Sequence, residues 1–334
     1  MVHNLPMARL VLVAFDGAQG LDVVGPAEVF AGVARHTEGA GYDVVLAAVG
    51  TERIRSTSGL TLGTRDLEGI RPQRDDTVLV VGGEEAAIRA AIASAPLVSW
   101  VKRAAPVVRR IGSVCSGAFV LASAGLLDGL RAATHWSACE RLAAFRPAVE
   151  VDSNAIFVRQ GRVWTSAGVT TGIDMALAMV EEDFGRRTAD AIAARLVLHA
   201  RRPGFQAQWS DALVAQSTAS DTLGPAVHWA RENLRAPIDL GRLARRAGMS
   251  VRTLHRRCAE ELATTPAKLI ERLRVEHART LLATTTLGTK VVAARSGFGT
   301  PHRMARAFER TLGVAPRDYR VVSGAGAPTT AARP

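Results

Sequence analysis

Cysteine is scarce in this sequence of 334 residues, which contains only Cys115, Cys139 and Cys258. Their number is odd, they lie far apart, and no two of them form a C-x-x-C pair. This spacing excludes a disulfide framework and a cysteine zinc site. We therefore expect no bound metal and no cofactor.

Long hydrophobic runs are also absent. The longest uncharged run, residues 111–127, is too short and too rich in Ser and Gly to span a bilayer, and residues 1–6 lack the basic start of a signal peptide. We therefore expect a cytoplasmic protein with no membrane partner. A hydrophobic fraction of 48% with 22% charged residues is typical of globular chains, and the length predicts two domains.

Acidic residues are scarce in only one part of the chain. Residues 1–200 contain 20 Lys and Arg against 21 Asp and Glu, whereas residues 201–334 contain 22 against 10. The net charge is −1 in the first part and +12 in the second, which sum to +11. All of the excess positive charge therefore lies in the C-terminal part. A neutral domain joined to a basic one indicates a polyanionic partner, most commonly nucleic acid.

The first two hundred residues alternate between short β-rich runs and helical stretches. Continuous apolar runs such as Val78–Val81 are typical of strands covered on both faces, which form parallel sheets. The predicted strands span 8–15, 42–49, 76–81, 107–114 and 162–166, and the predicted helices span 26–34, 84–93, 117–124 and 173–184. This alternation predicts a doubly wound, flavodoxin-like α/β domain over residues 7–200. Residues 201–222 are interpreted as a linker, and residues 322–334 as a disordered tail.

A helix-turn-helix pattern occurs twice in the basic part of the chain. The segment Ala244–Cys258 recurs, with one extra residue in the turn, as Ala293–Phe308. In each copy a glycine suited to end the first helix is followed by an N-cap residue, Ser250 or Thr300. The repeat predicts an all-α domain over residues 223–321 with two helix-turn-helix units.

The second helix of each unit carries a basic face. Leu254 and Cys258, like Met304 and Phe308, are spaced to pack this helix onto the first one. The remaining Arg and His side chains suit the major groove, because Arg can donate two hydrogen bonds to guanine. One such unit is equally consistent with a solvated basic face, but two copies in register favour DNA binding. The predicted DNA-binding residues are Arg252, Thr253, His255, Arg256, His302, Arg303 and Arg306.

Residues 223–320 strongly resemble the AraC family of bacterial transcription regulators. The most specific stretch runs from Gly297-Phe298 to Tyr319-Arg320, and a long connecting helix predicted over 267–283 also fits the family. The resemblance implies that both second helices enter successive major grooves on one face of the duplex. Cys258 departs from the family pattern, which usually has an aromatic residue at this position.

The spacing of a nucleophile elbow follows the predicted strand 107–114. In the segment Ser113–Gly117, small residues stand two positions before and two after Cys115, as a sharp strand-to-helix turn requires. The helix N-terminus would lower the pKa of the thiol, and backbone N–H groups of Gly82 and Gly83 would complete an oxyanion site. The pentapeptide alone is equally consistent with a small buried cysteine on a core turn.

These features together resemble the ThiJ/PfpI branch of the class I glutamine amidotransferase-like superfamily over about residues 8–190. The segments Thr134-His-Trp136 and Thr165–Gly168 also match. The resemblance implies that Asp22 lies beside Cys115 and holds or shares its proton, with His135 as the candidate base. Ser116 occupies the position where PfpI peptidases carry histidine, which argues against peptidase activity. The residues of the predicted ligand pocket, or vestigial catalytic pocket, are Asp22, Gly82, Gly83, Cys115, Ser116 and His135.

A ThiJ/PfpI domain followed by an AraC-type domain is the arrangement of the GlxA-like transcription regulators. We therefore expect a regulator that binds double-stranded operator DNA as a homodimer and responds to an unidentified small-molecule effector, with RNA polymerase as a further candidate partner. The alternative is a hydrolase, hydratase or amidase that uses Cys115, with DNA binding secondary. A non-specific nucleoid protein is disfavoured, because phosphate contacts do not require two capped recognition helices.

The cysteines carry one more expectation. A helix N-terminus favours the thiolate of Cys115, while a carboxylate at Asp22 opposes it. The family resemblance favours reactivity, so we expect Cys115 to be alkylated faster than Cys139 or Cys258.

Overall fold

In the computed structural model the chain forms two compact units, Met1–Gln208 and Trp209–Pro334. The structure describes residues 8–37, 39–198, 201, 202, 204, 208, 223–262, 264–312 and 314–323. None of the helices formed by these residues is long and apolar enough to cross a membrane.

The strands of the first unit build one central sheet and two small pairs. In chain order they are β1 (Ala8–Val13), β2 (Tyr42–Ala48), β3 (Arg53–Arg55), β4 (Thr61–Gly63), β5 (Arg65–Asp66), β6 (Thr77–Val80), β7 (Arg110–Val114), β8 (Arg131–Ala132), β9 (Glu150–Val151), β10 (Phe157–Gln160) and β11 (Val163–Ser166). The central sheet has the order β10-β11-β7-β6-β1-β2-β5, while β3 pairs with β4 and β8 with β9. Its neighbouring strands are parallel except β10 and β11.

Helices cover both faces of the central sheet. Those of the first unit are α1 (Gly20–Gly32), α2 (Glu85–Ala93), α3 (Ala95–Ala104), α4 (Ala118–Ser123), α5 (Cys139–Phe145), α6 (Thr171–Phe184) and α7 (Arg186–Arg195). Val11 and Val13 of β1 pack in the core with α2 to α5, whereas Leu10 and Leu12 pack in the core with α1, α6 and α7. This arrangement confirms the predicted doubly wound, flavodoxin-like fold.

Two predicted boundaries in the first unit are wrong. β7 begins at Arg110 and not at residue 107, because the N–H of Val107 bonds to the carbonyl of Ala104 in a helical turn. α1 begins at Gly20 and continues through Pro26, since the packing of its buried residues outweighs the hydrogen bond that proline lacks. As a result, Asp22 lies in the first turn of α1.

The described part of the second unit is helical throughout. Its helices are α8 (Gly224–Glu232), α9 (Leu240–Arg246), α10 (Val251–Leu262), α11 (Pro266–Thr284), α12 (Thr289–Arg295), α13 (Pro301–Leu312) and α14 (Pro316–Ser323). The pairs α9–α10 and α12–α13 are the two predicted helix-turn-helix units, and α11 is the predicted connecting helix.

The turns of both helix-turn-helix pairs have the geometry that their sequences predict. Gly248 has φ 65° and Gly297 has φ 80°, in the left-handed region. The Ser250 hydroxyl accepts the N–H of Thr253 at 3.1 Å, and the Thr300 hydroxyl accepts the N–H of Arg303 at 3.3 Å. Both second helices are therefore capped by the side chains expected to cap them.

The four side chains predicted to pack the second helices onto the first ones are fully buried: they are Leu254, Cys258, Met304 and Phe308. Cys258 shares a core with residues of α8, α9 and α11. The first helix-turn-helix pair, α9–α10, therefore packs without an aromatic residue at this position. Because α14 ends at Ser323, residues 322 and 323 are helical and not part of a disordered tail. The rest of that tail, and linker residues 209–222, lie outside the described residues.

Candidate functional site

Cys115 lies on a sharp turn between β7 and α4. Its φ of 56° is in the left-handed region, which is strained for any residue with a side chain. Small neighbours are obligatory, because a Cβ on Gly117 would collide with the carbonyl of Val80 and one on Gly168 would collide with Cys115 itself. The strained strand-to-helix turn predicted from the sequence is present.

Asp22 is fully buried beside this turn. Its carboxylate accepts the N–H of Val169 at 2.7 Å and the N–H of Gly82 at 3.2 Å, and it hydrogen bonds with the thiol of Cys115. Burial raises the pKa of Asp22 from 3.8 to about 6 despite these hydrogen bonds. Near neutral pH the site therefore contains a carboxyl group that readily exchanges a proton.

The pKa of Cys115 changes in the opposite direction to the one expected from a helix N-terminus. Burial, and after it the negative charge of Asp22, raises the pKa of the thiol to about 12. The hydrogen bonds from Ser116 lower this pKa, but burial and Asp22 together outweigh them. This raised pKa favours the neutral thiol at physiological pH and opposes the thiolate expected from the helix N-terminus.

The two glycines predicted to form an oxyanion site have a different role. The N–H of Gly82 donates to Asp22, and the N–H of Gly83 donates to the hydroxyl of Ser116 at 3.1 Å. Ser116 in turn donates to the carbonyl of Gly83 at 2.9 Å. Both amides thus hold the elbow against the end of β6, which contradicts their assignment as oxyanion donors.

His135 has its described hydrogen bonds elsewhere. Its Nδ1 lies 2.8 Å from the hydroxyl of Ser137, and burial followed by the charge of Arg141 lowers the pKa of the imidazole. The preceding residue, Thr134, donates its hydroxyl to the carbonyl of Cys115 at 2.9 Å. The structure thus brings together five of the six predicted pocket residues, which we call the Cys115 site: Asp22, Gly82, Gly83, Cys115 and Ser116.

Three residues around the Cys115 site were not assigned a role from the sequence. The hydroxyl of Thr134 donates to the carbonyl of Cys115, and Gly168 closely approaches Cys115. The N–H of Val169 donates to Asp22. Thr134 and Gly168 lie in segments that match the ThiJ/PfpI pattern, which was the only signal for them.

The predicted DNA-binding face of α10 is exposed. Arg252, His255 and Arg256 point away from the buried residues of the helix, and Arg256 lies 3.4 Å from Glu260 in an ion pair. Thr253 differs from them, because it is partly buried and its hydroxyl lies 2.9 Å from that of Ser250. Its side chain therefore belongs to the helix cap.

On α13, His302, Arg303 and Arg306 are exposed as predicted. The two arginines also border a cleft of about 370 Å³ between α13 and α11, which we call the arginine cleft. Its lining residues are Ala267, Ile270, Glu271, Arg274, Gly297, Phe298, Arg303, Arg306 and Arg310. Four guanidinium groups therefore face one carboxylate.

Two arginines of the arginine cleft were not predicted as functional. Arg310 pairs with Glu271 at 2.7 Å. Arg274 donates to the carbonyl of Ala236 at 3.1 Å, but its Nε is buried without a hydrogen-bond partner and burial lowers its pKa. The sequence did contain a signal for Arg310, because residues 303, 306 and 310 are spaced to lie on one face of a helix.

Two family profiles match the chain. Residues 8–182 match the DJ-1/PfpI family, and residues 243–321 match a helix-turn-helix domain. The first match includes the Cys115 site, and the second includes both capped helices.

Individual proteins are similar over different shares of the chain. The HTH-type transcriptional regulator GlxA of Rhizobium meliloti (strain 1021) is 31% identical over 287 residues, which are 85% of this chain and 86% of that protein. The isonitrile hydratase of Pseudomonas putida is 31% identical over 186 residues, which are 54% of this chain and 75% of that protein. A crystal structure of a ThiJ/PfpI family protein from Pseudomonas syringae has a TM-score of 0.53 at 27% identity and covers 60% of this chain and 78% of that one.

Proposed function

Because the chain belongs to the DJ-1/PfpI family and is a DNA-binding transcription regulator of the helix-turn-helix type, we propose that α10 and α13 enter successive major grooves of a double-stranded operator. One observation carries this proposal: two capped second helices expose the same kind of basic face in the part of the chain with net charge +12. The base-reading residues are Arg252, His255, Arg256, His302, Arg303 and Arg306. Arg256 and Arg306 are the residues that we assign to bidentate contacts with guanine.

The arginine cleft supports a second part of the proposal, contacts with the DNA backbone. Three more guanidinium groups than carboxylates surround it, and it lies directly beside a helix assigned to the major groove. Guanidinium groups bind phosphate oxygens in pairs of hydrogen bonds. Arg310 and Arg274 are therefore assigned to a phosphate, which fixes the position of α13 without reading sequence.

We propose that the Cys115 site senses a small molecule and does not turn one over. The raised pKa of the thiol and the engagement of both glycine amides are unfavourable for nucleophilic attack. The described hydrogen bonds of His135 are to Ser137 and not to Cys115, so this residue does not support base catalysis at the thiol. The similarity to an isonitrile hydratase keeps the alternative open, a Cys115-dependent hydrolase, hydratase or amidase with secondary DNA binding.

The test is a selection of duplexes from a random pool with the full chain, followed by the same selection with Cys115→Ala. We expect both proteins to enrich one common sequence, because DNA reading resides in the second unit. Failure of the unmodified chain to enrich any sequence would overturn the regulator proposal. Measurable hydration of an isonitrile by the unmodified chain, lost in Cys115→Ala, would support the enzyme instead.

A homodimer, the identity of the effector and a contact with RNA polymerase remain predictions. A homodimer predicts an operator with two half-sites related by symmetry, which footprinting of the full chain measures. The cytoplasmic location also remains a prediction, and it rests on the DNA-binding role.

A further inference from the structure

The residues that lead out of the first unit are bonded back to it at several places: Arg201 pairs with Glu181 and Asp190, and two further places lead towards the Cys115 site. We call the described residues Arg201, Arg202, Gly204 and Gln208 the exit segment, because the second unit follows directly after them. At the first of the two further places, the backbone N–H of Arg202 donates to the carboxylate of Asp174 on α6 at 2.9 Å. The guanidinium group of Arg202 donates two further hydrogen bonds to the same carboxylate, at 2.9 and 2.6 Å. Asp174 is buried, so the carboxylate of this charge-assisted anchor is shielded from water, while the Arg202 side chain is partly exposed.

The second place lies near the edge of the central sheet. The side-chain amide of Gln208 donates to the carbonyls of Thr134 at 3.0 Å and Ala155 at 3.2 Å, and its backbone N–H donates to Asn154 at 3.0 Å. Gly204 accepts the N–H of Phe157 at 3.1 Å, and only a glycine fits there, since a Cβ would lie 2.5 Å from the Phe157 carbonyl.

Both anchors lead to the Cys115 site within one or two residues. Thr134, which accepts from Gln208, donates its hydroxyl to the carbonyl of Cys115. Arg202 also donates to the hydroxyl of Thr170 at 2.9 Å, and the neighbouring Val169 donates its N–H to Asp22. A shift of Cys115 therefore acts on Thr134, which holds Gln208, and a shift of Asp22 acts on Val169, the chain neighbour of Thr170, which holds Arg202.

We propose that the exit segment is the regulatory element of the chain: it is anchored or released according to the state of the Cys115 site, and its release alters operator binding by the second unit. This inference rests on the proposed function and adds its regulation. A ligand shifts such an equilibrium only if it interacts differently with the two states, and a ligand that displaces Thr134 or Val169 meets that condition.

The test uses the full chain with Thr134→Val, which keeps the shape of the side chain and removes only its hydroxyl bond to Cys115. We expect hydrogen exchange in peptides covering residues 201–208 to become about fivefold faster, the factor that one lost hydrogen bond produces. The dissociation constant for the selected operator should change in the same protein. The matched control is Thr64→Val, which loses a similar bond, at 2.7 Å to the carbonyl of Thr51, away from the exit segment and should change neither quantity.

A double-mutant cycle with Gln208→Ala separates regulation from a general loss of stability. Gln208→Ala alone should change operator affinity, and Thr134→Val should then have no further effect, because the anchor it acts through is gone. Unchanged exchange in Thr134→Val, or equal effects of Thr134→Val on affinity with and without Gln208, would overturn the proposal. If Thr134→Val does not fold, Arg202→Lys tests the other anchor by the same measurements. A full chain that selects no operator would overturn the proposed function, and the exchange measurement would still decide whether the exit segment responds to the Cys115 site.

Discussion

At the scale of single residues, the environment of Cys115 outweighs its position at the start of a helix. The helix N-terminus favours a thiolate, but the side chain is buried and faces a carboxylate, and each of these effects favours the neutral thiol. The small residues around the elbow were predictable from the sequence, because a strained turn requires them. The direction in which the pKa of Cys115 changes was not predictable from the sequence. It depends on the burial of Asp22 and on contacts from residues 82 and 169, which are distant in sequence.

The alkylation rate of Cys115 tests this balance. Because the pKa of the thiol is about 12, the rate should keep rising with pH beyond pH 9, where an ordinary cysteine is already mostly thiolate, and labelling near neutral pH should not be selective for Cys115. Asp22→Asn removes the negative charge that raises this pKa, so the rate at pH 9 should increase by about tenfold per unit of pKa lost. Iodoacetamide labelling followed by mass spectrometry measures the rate at each cysteine.

Glu140→Gln is the matched control for that experiment, because the pKa of Cys139 is raised by burial, then by the charge of Asp152 and also by the charge of Glu140. This variant should change the labelling of Cys139 and leave Cys115 unchanged. Selective labelling of Cys115 at neutral pH in the unmodified chain would contradict the raised pKa.

At the scale of elements, the two helix-turn-helix units differ in how strictly they require glycine. Alanine at Gly248 or Gly297 must adopt a left-handed conformation, which costs about 1 to 2 kcal/mol. At Gly297 a Cβ would also collide with the carbonyl of Leu234, whereas nothing lies within 4 Å of a Cβ at Gly248. Gly297→Ala should therefore lower the free energy of unfolding by clearly more than Gly248→Ala in urea denaturation. Equal losses would show that the second turn relaxes away from Leu234.

The capped helices could be predicted because their signals are local: a glycine, a cap residue and apolar residues four apart. α3, α5 and α7 were not predicted. The start of α3 does carry a local signal that was missed, because the Ser94 hydroxyl accepts the N–H of Leu97 and Pro96 lies in the first turn. The arginine cleft was not predicted either, because Arg274 and Arg310 belong to different helices and meet only through tertiary packing.

The arginines of α13 should separate into two classes. Arg306→Ala should relax the preference at one base pair at a cost of about 1 to 3 kcal/mol, as the loss of a bidentate guanine contact does. Arg256→Ala should do the same in the first helix-turn-helix pair, α9–α10. Arg310→Ala should weaken operator and random DNA alike and lower the slope of log K against log salt by about 0.9. Glu271→Gln releases Arg310 from its ion pair and should strengthen both kinds of binding.

Binding titrations at several salt concentrations measure all four variants. Glu232→Gln on α8 is the control, because it changes the net charge as Glu271→Gln does but lies outside the arginine cleft. If Arg306→Ala and Arg310→Ala both weaken all sequences uniformly, Arg306 is not a base-reading residue.

At the scale of the whole molecule, charge and pattern divide the chain in the same way. The part with net charge −1 has alternating strands and helices, and the part with net charge +12 has the repeated capped helices, so both fold classes could be predicted from composition and periodicity. The anchoring of the exit segment could not be predicted from the sequence. The hydrogen-bond partner of Arg202 lies 28 positions away in the chain, and that of Gln208 lies 74 positions away. Sequence patterns contain no local signal for such contacts.

The division of labour between the two units predicts that residues 223–323 fold and read DNA alone. The core of this fragment is internal, since α8 to α11 share one set of buried residues and Phe308 of α13 packs edge to face against Tyr319 of α14 at 5.9 Å. Ending the fragment at Ser323 keeps α14 intact. We expect a cooperative melting transition by circular dichroism and enrichment of the same duplex that the full chain selects, because the base-reading residues and the arginine cleft are all present. The same fragment with Arg306→Ala should melt at the same temperature and lose part of that preference. A fragment that melts cooperatively yet prefers no duplex would contradict the assignment of α10 and α13 as readers of sequence.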